Sequence, residues 1–171
     1  MDAHLELPPS PWVQRWLGWI RPGGAVLDLA CGSGRHARLL ARLGFEVDAV
    51  DRDPRLFPDP PRGVTLLAAD LEEGPWPYAG RRFDAIVVTN YLHRPLLPKL
   101  VDALEAGGLL VYETFARGNE RFGKPSNPAF LLEPGELLEA VRGHLRVLGY
   151  EDLVVEEPRP AAVQRLCARR E

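Results

Sequence analysis

The chain has 171 residues, 46% of them hydrophobic and 26% charged, with a formal net charge of -3. That length and balance suit one globular domain with a sizeable core, and the charge leaves no electrostatic footprint for nucleic acid. Two cysteines, Cys31 and Cys167, form no disulfide framework or zinc-like spacing, and no apolar run is long enough to span a membrane.

A soluble, cytoplasmic protein without a metal is therefore expected, as a monomer or a homodimer. In chain order, Pro8-Pro9-Ser10-Pro11 opens a helix, with Ser10 as its N-cap and Pro11 in its first turn. Trp12, Val13, Trp16, Leu17 and Ile20 follow at helical spacing, until Pro22-Gly23-Gly24 stops the run. Its apolar stripe reads as core or dimer contact, with a cover over a ligand mouth as the alternative. A strand is expected over 25–30, a helix over 34–43, a strand over 45–50 and another over 64–69. After the loop Gly74-Pro75-Trp76-Pro77, a fourth strand covers 83–88, a helix 96–104, and a fifth strand 108–114. Residues 116–133 carry no clear period. A helix is then expected over 134–141, and strands over 145–155 and 162–167. Strands alternating with helices predict an α/β domain with a mostly parallel sheet covered on both faces. The last two strands suit a hairpin at the sheet edge. No repeat or linker divides the chain, so residues 1–171 read as one domain: an N-terminal helical segment (1–22) and a Rossmann-like core (23–171).

The stretch Ala25-Val-Leu-Asp-Leu-Ala-Cys-Gly-Ser-Gly-Arg-His36 joins a buried strand to a helix through a glycine loop. Gly32 and Gly34 let the backbone come close to a ligand. Asp51 ends the next strand, where a carboxylate can accept both hydroxyls of a ribose. Gly32-Ser-Gly-Arg-His-Ala37 also satisfies G-x-G-x-x-A with an acid about twenty residues on, so a dinucleotide site is one reading. A structural reading also exists, in which these acids and glycines merely end strands and cap helices.

The loop with its leading acid, Asp28-Leu-Ala30-Cys31-Gly32-Ser33-Gly34, resembles the D-x-G-x-G-x-G pattern of class I S-adenosylmethionine-dependent methyltransferases. Ala30 stands where that family has its first glycine. Arg82-Phe83-Asp84 with Thr89-Asn90-Tyr91, and the closing strand pair, agree with the family's fourth strand and antiparallel seventh strand, so the resemblance covers about residues 23–170. It implies a seven-stranded Rossmann-like sheet, S-adenosyl-L-methionine as cofactor, and methyl transfer to a small-molecule acceptor. By the same resemblance Asp28 and Ala30–Gly34 lie near the methionyl end, Asp51 with Arg52 holds the ribose, Asp70 and Leu71 flank the adenine, and Thr89 and Asn90 form the cofactor-edge loop. The wording Tyr112-Glu-Thr-Phe115 and Phe130-Leu-Leu-Glu-Pro-Gly-Glu136 is similar to small bacterial methyltransferases of the tellurite-resistance type.

Methyl transfer needs alignment, exclusion of water and sometimes a base. His93 is the candidate base, because an unperturbed imidazole titrates near neutrality; a structural loop histidine is the alternative. Tyr91 could wall the methyl site or simply pack. Arg94 is a candidate contact for a small anionic substrate or a structural ion-pair partner, with solvated surface as the alternative, and Arg117 a candidate substrate contact or part of a solvated charged loop. His4, His36 and His144 lack metal-like spacing, and Arg165, Arg169 and Arg170 read as the solvated end of the last strand. A cofactor-binding protein without activity, and an NAD-dependent oxidoreductase, remain as competing functions.

Overall fold

The computed structural model describes residues 7–171; His4 lies outside them. Seven strands form one sheet: β1 (Ala25–Leu29), β2 (Glu46–Asp51), β3 (Val64–Ala68), β4 (Phe83–Thr89), β5 (Leu104–Phe115), β6 (Arg146–Val155) and β7 (Ala161–Arg169). Their spatial order is β3-β2-β1-β4-β5-β7-β6. The β1–β5 neighbours pair in parallel, and β7 is antiparallel to both β5 and β6. This is the expected α/β class, a Rossmann-like sheet closed by an antiparallel last strand. The chain reverses direction across the sheet between β1 and β4, the switch point where ligands bind in such folds.

The central strands are apolar on both faces: Val26, Leu27, Ile86, Val87 and Val88 are all fully buried. Among the described residues four short helices cover the sheet: α1 (Pro11–Trp16), α2 (Arg35–Arg42), α3 (Leu97–Asp102) and α4 (Glu136–Val141). Helix α1 starts as expected, with the Ser10 hydroxyl accepting from the Val13 N–H and Pro11 at the first position. Trp12, Val13, Trp16 and Ile20 pack into the core against Val26, Val87, Leu109 and Val111. The indole N–H of Trp12 donates to the Leu166 carbonyl at 3.2 Å.

The largest departures from the sequence expectation lie between β4 and β5. The helix expected over 96–104 is a 3-10 turn, Arg94–Leu96, followed by α3, which ends at Asp102. Strand β5 accordingly begins at Leu104 rather than Gly108. Leu104 already pairs with Phe83, and the register then shifts before Ala85 meets Leu109. The glycines read as a helix stop lie inside this irregular strand, where the Gly107 N–H reaches the Arg170 carbonyl. Residues 69–82, between β3 and β4, hold no helix; Trp76 and Tyr78 stack edge-on toward Phe83 there instead. Among the described residues no helix is long and apolar enough to cross a membrane.

Candidate active site

The carboxyl ends of β1, β2, β4 and β5 converge on the glycine loop. Asp28, the fourth residue of β1, is buried, and its Oδ2 accepts the Ala37 N–H at 3.0 Å, taking up a free donor in the first turn of α2. Burial raises its pKa to about 7, against the opposing pull of the Ala37 bond and Arg35. Three loop residues are left-handed: Ala30 (φ 53), Gly32 (φ 54) and Gly34 (φ 82). The alanine that replaces the family's first glycine therefore keeps the glycine-like angle. A Cβ on Gly34 would run into the Phe57 ring, whereas one on Gly32 would meet nothing within 4 Å. The space beside Gly32 is thus free for a ligand. Cys31 is buried, donates its N–H to the Val50 carbonyl, and has its thiol pKa pushed up by burial. Ser33 is exposed.

Asp51 closes β2. Its Oδ2 accepts the Gly32 N–H and its Oδ1 the Asp53 N–H, both at 2.9 Å. The carboxylate therefore holds the glycine loop and still offers spare lone pairs. Past β3, Asp70 Oδ1 accepts the Glu72 and Glu73 N–H groups at 2.9 and 3.0 Å, which lowers its pKa. Ala30, Asp51, Arg52, Ala69, Asp70, Leu71, Glu72 and Tyr91 line a cleft of about 200 Å³. A pair of carboxylate acceptors beside Leu71 and Tyr91 matches the hydroxyl donors and flat base of an adenosine, so the residues present fit that cofactor. The Tyr91 carbonyl accepts the Tyr112 hydroxyl at 2.7 Å, and burial pushes the Tyr91 phenol up to about 12.

A second cavity, of about 380 Å³, opens beside the first. Its walls include Pro8, Pro9, Phe115, Val155, Pro158 and Val163, with Ser10, Gln14, Arg35, Asn90, Glu113, Glu157, Arg159 and Arg165 as polar members. Ser10 is the pin of this wall: its N–H donates to His36 Nε2 at 2.9 Å and its hydroxyl to Glu113 Oε1 at 2.8 Å. His36 is buried, and that burial, with Arg35 beside it, holds the imidazole neutral and its pKa down at about 3. Glu113 Oε2 accepts from Arg165, whose Nη1 also reaches Glu151 at 2.9 Å.

The sequence-based site residues divide accordingly. Asp51, Arg52, Ala30, Asp70, Leu71 and Tyr91 share the smaller cleft, and Asn90 lines the larger cavity. Thr89 ends β4 opposite Glu113 and lines neither. His93 also lines neither; its Nδ1 lies 3.3 Å from Glu72 Oε1, beside the smaller cleft. Arg94 is taken up by Glu136 (2.7 and 2.9 Å) and the carbonyls of Ala129 and Leu131, pinning the loop before α4. Arg117 pairs with Glu133 in solvent, and neither arginine lines either of these two cavities. Arg165 is not the solvated strand end expected, because its partners Glu113 and Glu151 lie across the sheet from it. Sequence reasoning also missed Ser10, Arg35 and the wall role of Glu113. One signal existed: Glu113 is the lone charge in the apolar run from Leu109 to Phe115.

A methyltransferase-domain family model matches residues 1–150, and the chain belongs to that family. Its fold is similar to TehB from Haemophilus influenzae (TM-score 0.75, 20% identity), covering 94% of this chain and 61% of that one. It is likewise similar to the N-methyltransferase NodS from Bradyrhizobium japonicum (TM-score 0.70, 16% identity), covering 96% and 99%. Among curated proteins it is 37% identical over 120 residues to a protein-L-isoaspartate O-methyltransferase from Gloeobacter violaceus, spanning 64% of this chain and 57% of that protein. A ubiquinone biosynthesis O-methyltransferase from Cereibacter sphaeroides is 31% identical over 110 residues, 58% of this chain and 44% of that protein. Family and fold together place the chain among class I S-adenosylmethionine-dependent methyltransferases, and S-adenosyl-L-methionine is the cofactor that goes with that membership. The dinucleotide reading of Gly32–Ala37 falls with it.

Proposed function

We propose that the chain transfers a methyl group from S-adenosylmethionine to a small molecule held in the larger cavity. One observation carries this reading: residues close in sequence, on the glycine loop and at the end of β4, line the two cavities. Ala30 lines the smaller cleft and Arg35 the larger cavity; Tyr91 lines the smaller and Asn90 the larger. The glycine loop and the end of β4 thus border both a ribose-and-adenine site and an apolar chamber.

When bound, the cofactor supplies an electrophilic methyl carbon on a sulfonium. The protein's own part is alignment and dryness. Asp51 holds the ribose while its other bonds fix Gly32, so cofactor position and loop shape depend on the same carboxylate. Asp70, Leu71 and Tyr91 bracket the base. Pro8, Pro9, Phe115 and Val163 exclude water around the acceptor, and Ser10 holds that cover onto Glu113. His93, with Glu72, orders the rim of the donor cleft in this reading and is not the base. A cavity of this size suits a small acceptor rather than a macromolecule.

Calorimetry with S-adenosylhomocysteine and NAD side by side tests the cofactor, and NAD binding alone would sink the proposal. A fractionated metabolite pool, incubated with labelled S-adenosylmethionine, then tests transfer. Tight cofactor binding with no labelled product in any fraction would leave a binding protein without activity.

A further inference from the structure

Three guanidinium groups line the larger cavity, and they differ in what neutralises them. Arg165 is shared between Glu113 and Glu151. Arg159 is exposed and donates to the Lys124 carbonyl, with solvent to hydrate it. Arg35 is half-buried, makes one hydrogen bond, Nη1 to the Pro8 carbonyl at 2.7 Å, and has no carboxylate within ion-pair distance among the described residues. The acids whose fields reach it are Glu113 and Asp28. Both are committed: Glu113 to Ser10 and Arg165, Asp28 to the Ala37 N–H. Burial therefore lowers the Arg35 pKa, the mark of a charge that lacks a counter-ion. Five N–H donors in a planar fork, four of them spare, match a carboxylate.

We propose that Arg35 is a carboxylate receptor at the junction of the donor cleft and the acceptor cavity. The inference rests on the methyl-transfer reading. Arg35 follows Gly34 directly and lines the acceptor cavity, so two sources can deliver the group. One is the amino-acid end of the cofactor, passing along the glycine loop. The other is an acceptor with an apolar body against Pro9, Phe115 and Val163 and an acid at one end.

Binding to four probes separates these sources: S-adenosylhomocysteine, 5′-methylthioadenosine (the same nucleoside without the amino acid), benzoate and benzamide. They are measured on the wild type, Arg35→Gln and Arg35→Lys, with benzoate and benzamide added in the presence of S-adenosylhomocysteine. If the cofactor supplies the carboxylate, Arg35→Gln weakens S-adenosylhomocysteine by roughly tenfold to a hundredfold and leaves methylthioadenosine unchanged. If the acceptor supplies it, both nucleosides bind as before, wild type binds benzoate over benzamide, and Arg35→Gln loses that preference. In either case Arg35→Lys restores part of the affinity, because it keeps the charge but not the fork. Equal weakening of both nucleosides would show only the lost Pro8 bond and overturn the proposal. So would an Arg35→Gln protein indistinguishable from wild type toward all four probes. Failure of wild type to bind either nucleoside would instead sink the methyl-transfer reading, with the benzoate comparison still deciding Arg35.

Discussion

Asp28 and His36 stand at the two sides of the loop-to-helix turn, both buried, and burial moves their pKa values in opposite senses. The folded Asp28 keeps its proton up to about pH 7, while the unfolded carboxyl loses it near 3.8, so this group takes stability away as pH rises between those values. The folded His36 stays neutral down to about pH 3, while the unfolded ring is charged below about 6.5, so it adds stability as pH rises over that window. Between about pH 4 and 6.5 the two slopes oppose. Asp28→Asn, which keeps an oxygen for the Ala37 N–H, should therefore gain stability with pH there, by at most about 1.4 kcal/mol per unit. His36→Gln, which keeps an acceptor for Ser10, should lose it with pH. Wild type should be flatter than either. Denaturant melts across this pH range check the signs, and parallel profiles for all three proteins would show that the two sites are not the titrating pair. Asp51 offers a second test at this scale. Replacing its carboxylate by alanine removes a charged acceptor and should weaken S-adenosylhomocysteine by about 1.5–3 kcal/mol, or roughly tenfold to a hundredfold. An unchanged dissociation constant would remove Asp51 from the ribose.

The glycine loop is where sequence and backbone agree most closely, and it separates two kinds of small residue. Gly34 needs both its φ of 82° and its missing Cβ, because Phe57 fills the space where one would be. Gly34→Ala should cost about 2 kcal/mol or more, from the left-handed angle plus the clash. Ala30 carries φ 53° with a Cβ in place, so Ala30→Gly should be neutral or stabilising by up to about 1 kcal/mol. Thermal and denaturant unfolding of the pair reads the difference. Such positions are legible because their demand is local. Strands β1 and β4 were legible for a similar reason, as short and mostly apolar runs, and β2 as an alternating one. What stayed hidden depends on partners far away in sequence. Arg94 reads equally as a substrate contact or an ion-pair partner until Glu136 closes on it, and Arg165 as a solvated strand end until the β5–β7 register sets Glu113 opposite. The start of β5 was hidden differently: Gly107-Gly108 is a turn signal in sequence, and here it is an irregularity inside a paired strand.

At the scale of the molecule, the smaller cleft is built by four connections. Ala30 follows β1, Arg52 follows β2, Asp70 to Glu72 follow β3, and Tyr91 follows β4. In the protein alone the Asp51–Gly32 bond joins the first two of these loops and the His93–Glu72 contact the last two, over the β-sheet pairing beneath them. A ligand that touches all four must stabilise the folded chain by mass action, since the unfolded chain cannot assemble the cleft. S-adenosylhomocysteine at a hundred times its dissociation constant should add about 2.7 kcal/mol, which for a domain of this size raises Tm by roughly 5–10 °C. NAD should leave Tm where it was. Asp51→Ala should lose most of the S-adenosylhomocysteine shift if, as proposed, the carboxylate binds the ribose besides holding Gly32. Asn90→Ala, in the larger cavity, should keep most of it. A shift of equal size in wild type and Asp51→Ala would place the ligand outside the cleft and undo the assignment of donor and acceptor to the two cavities.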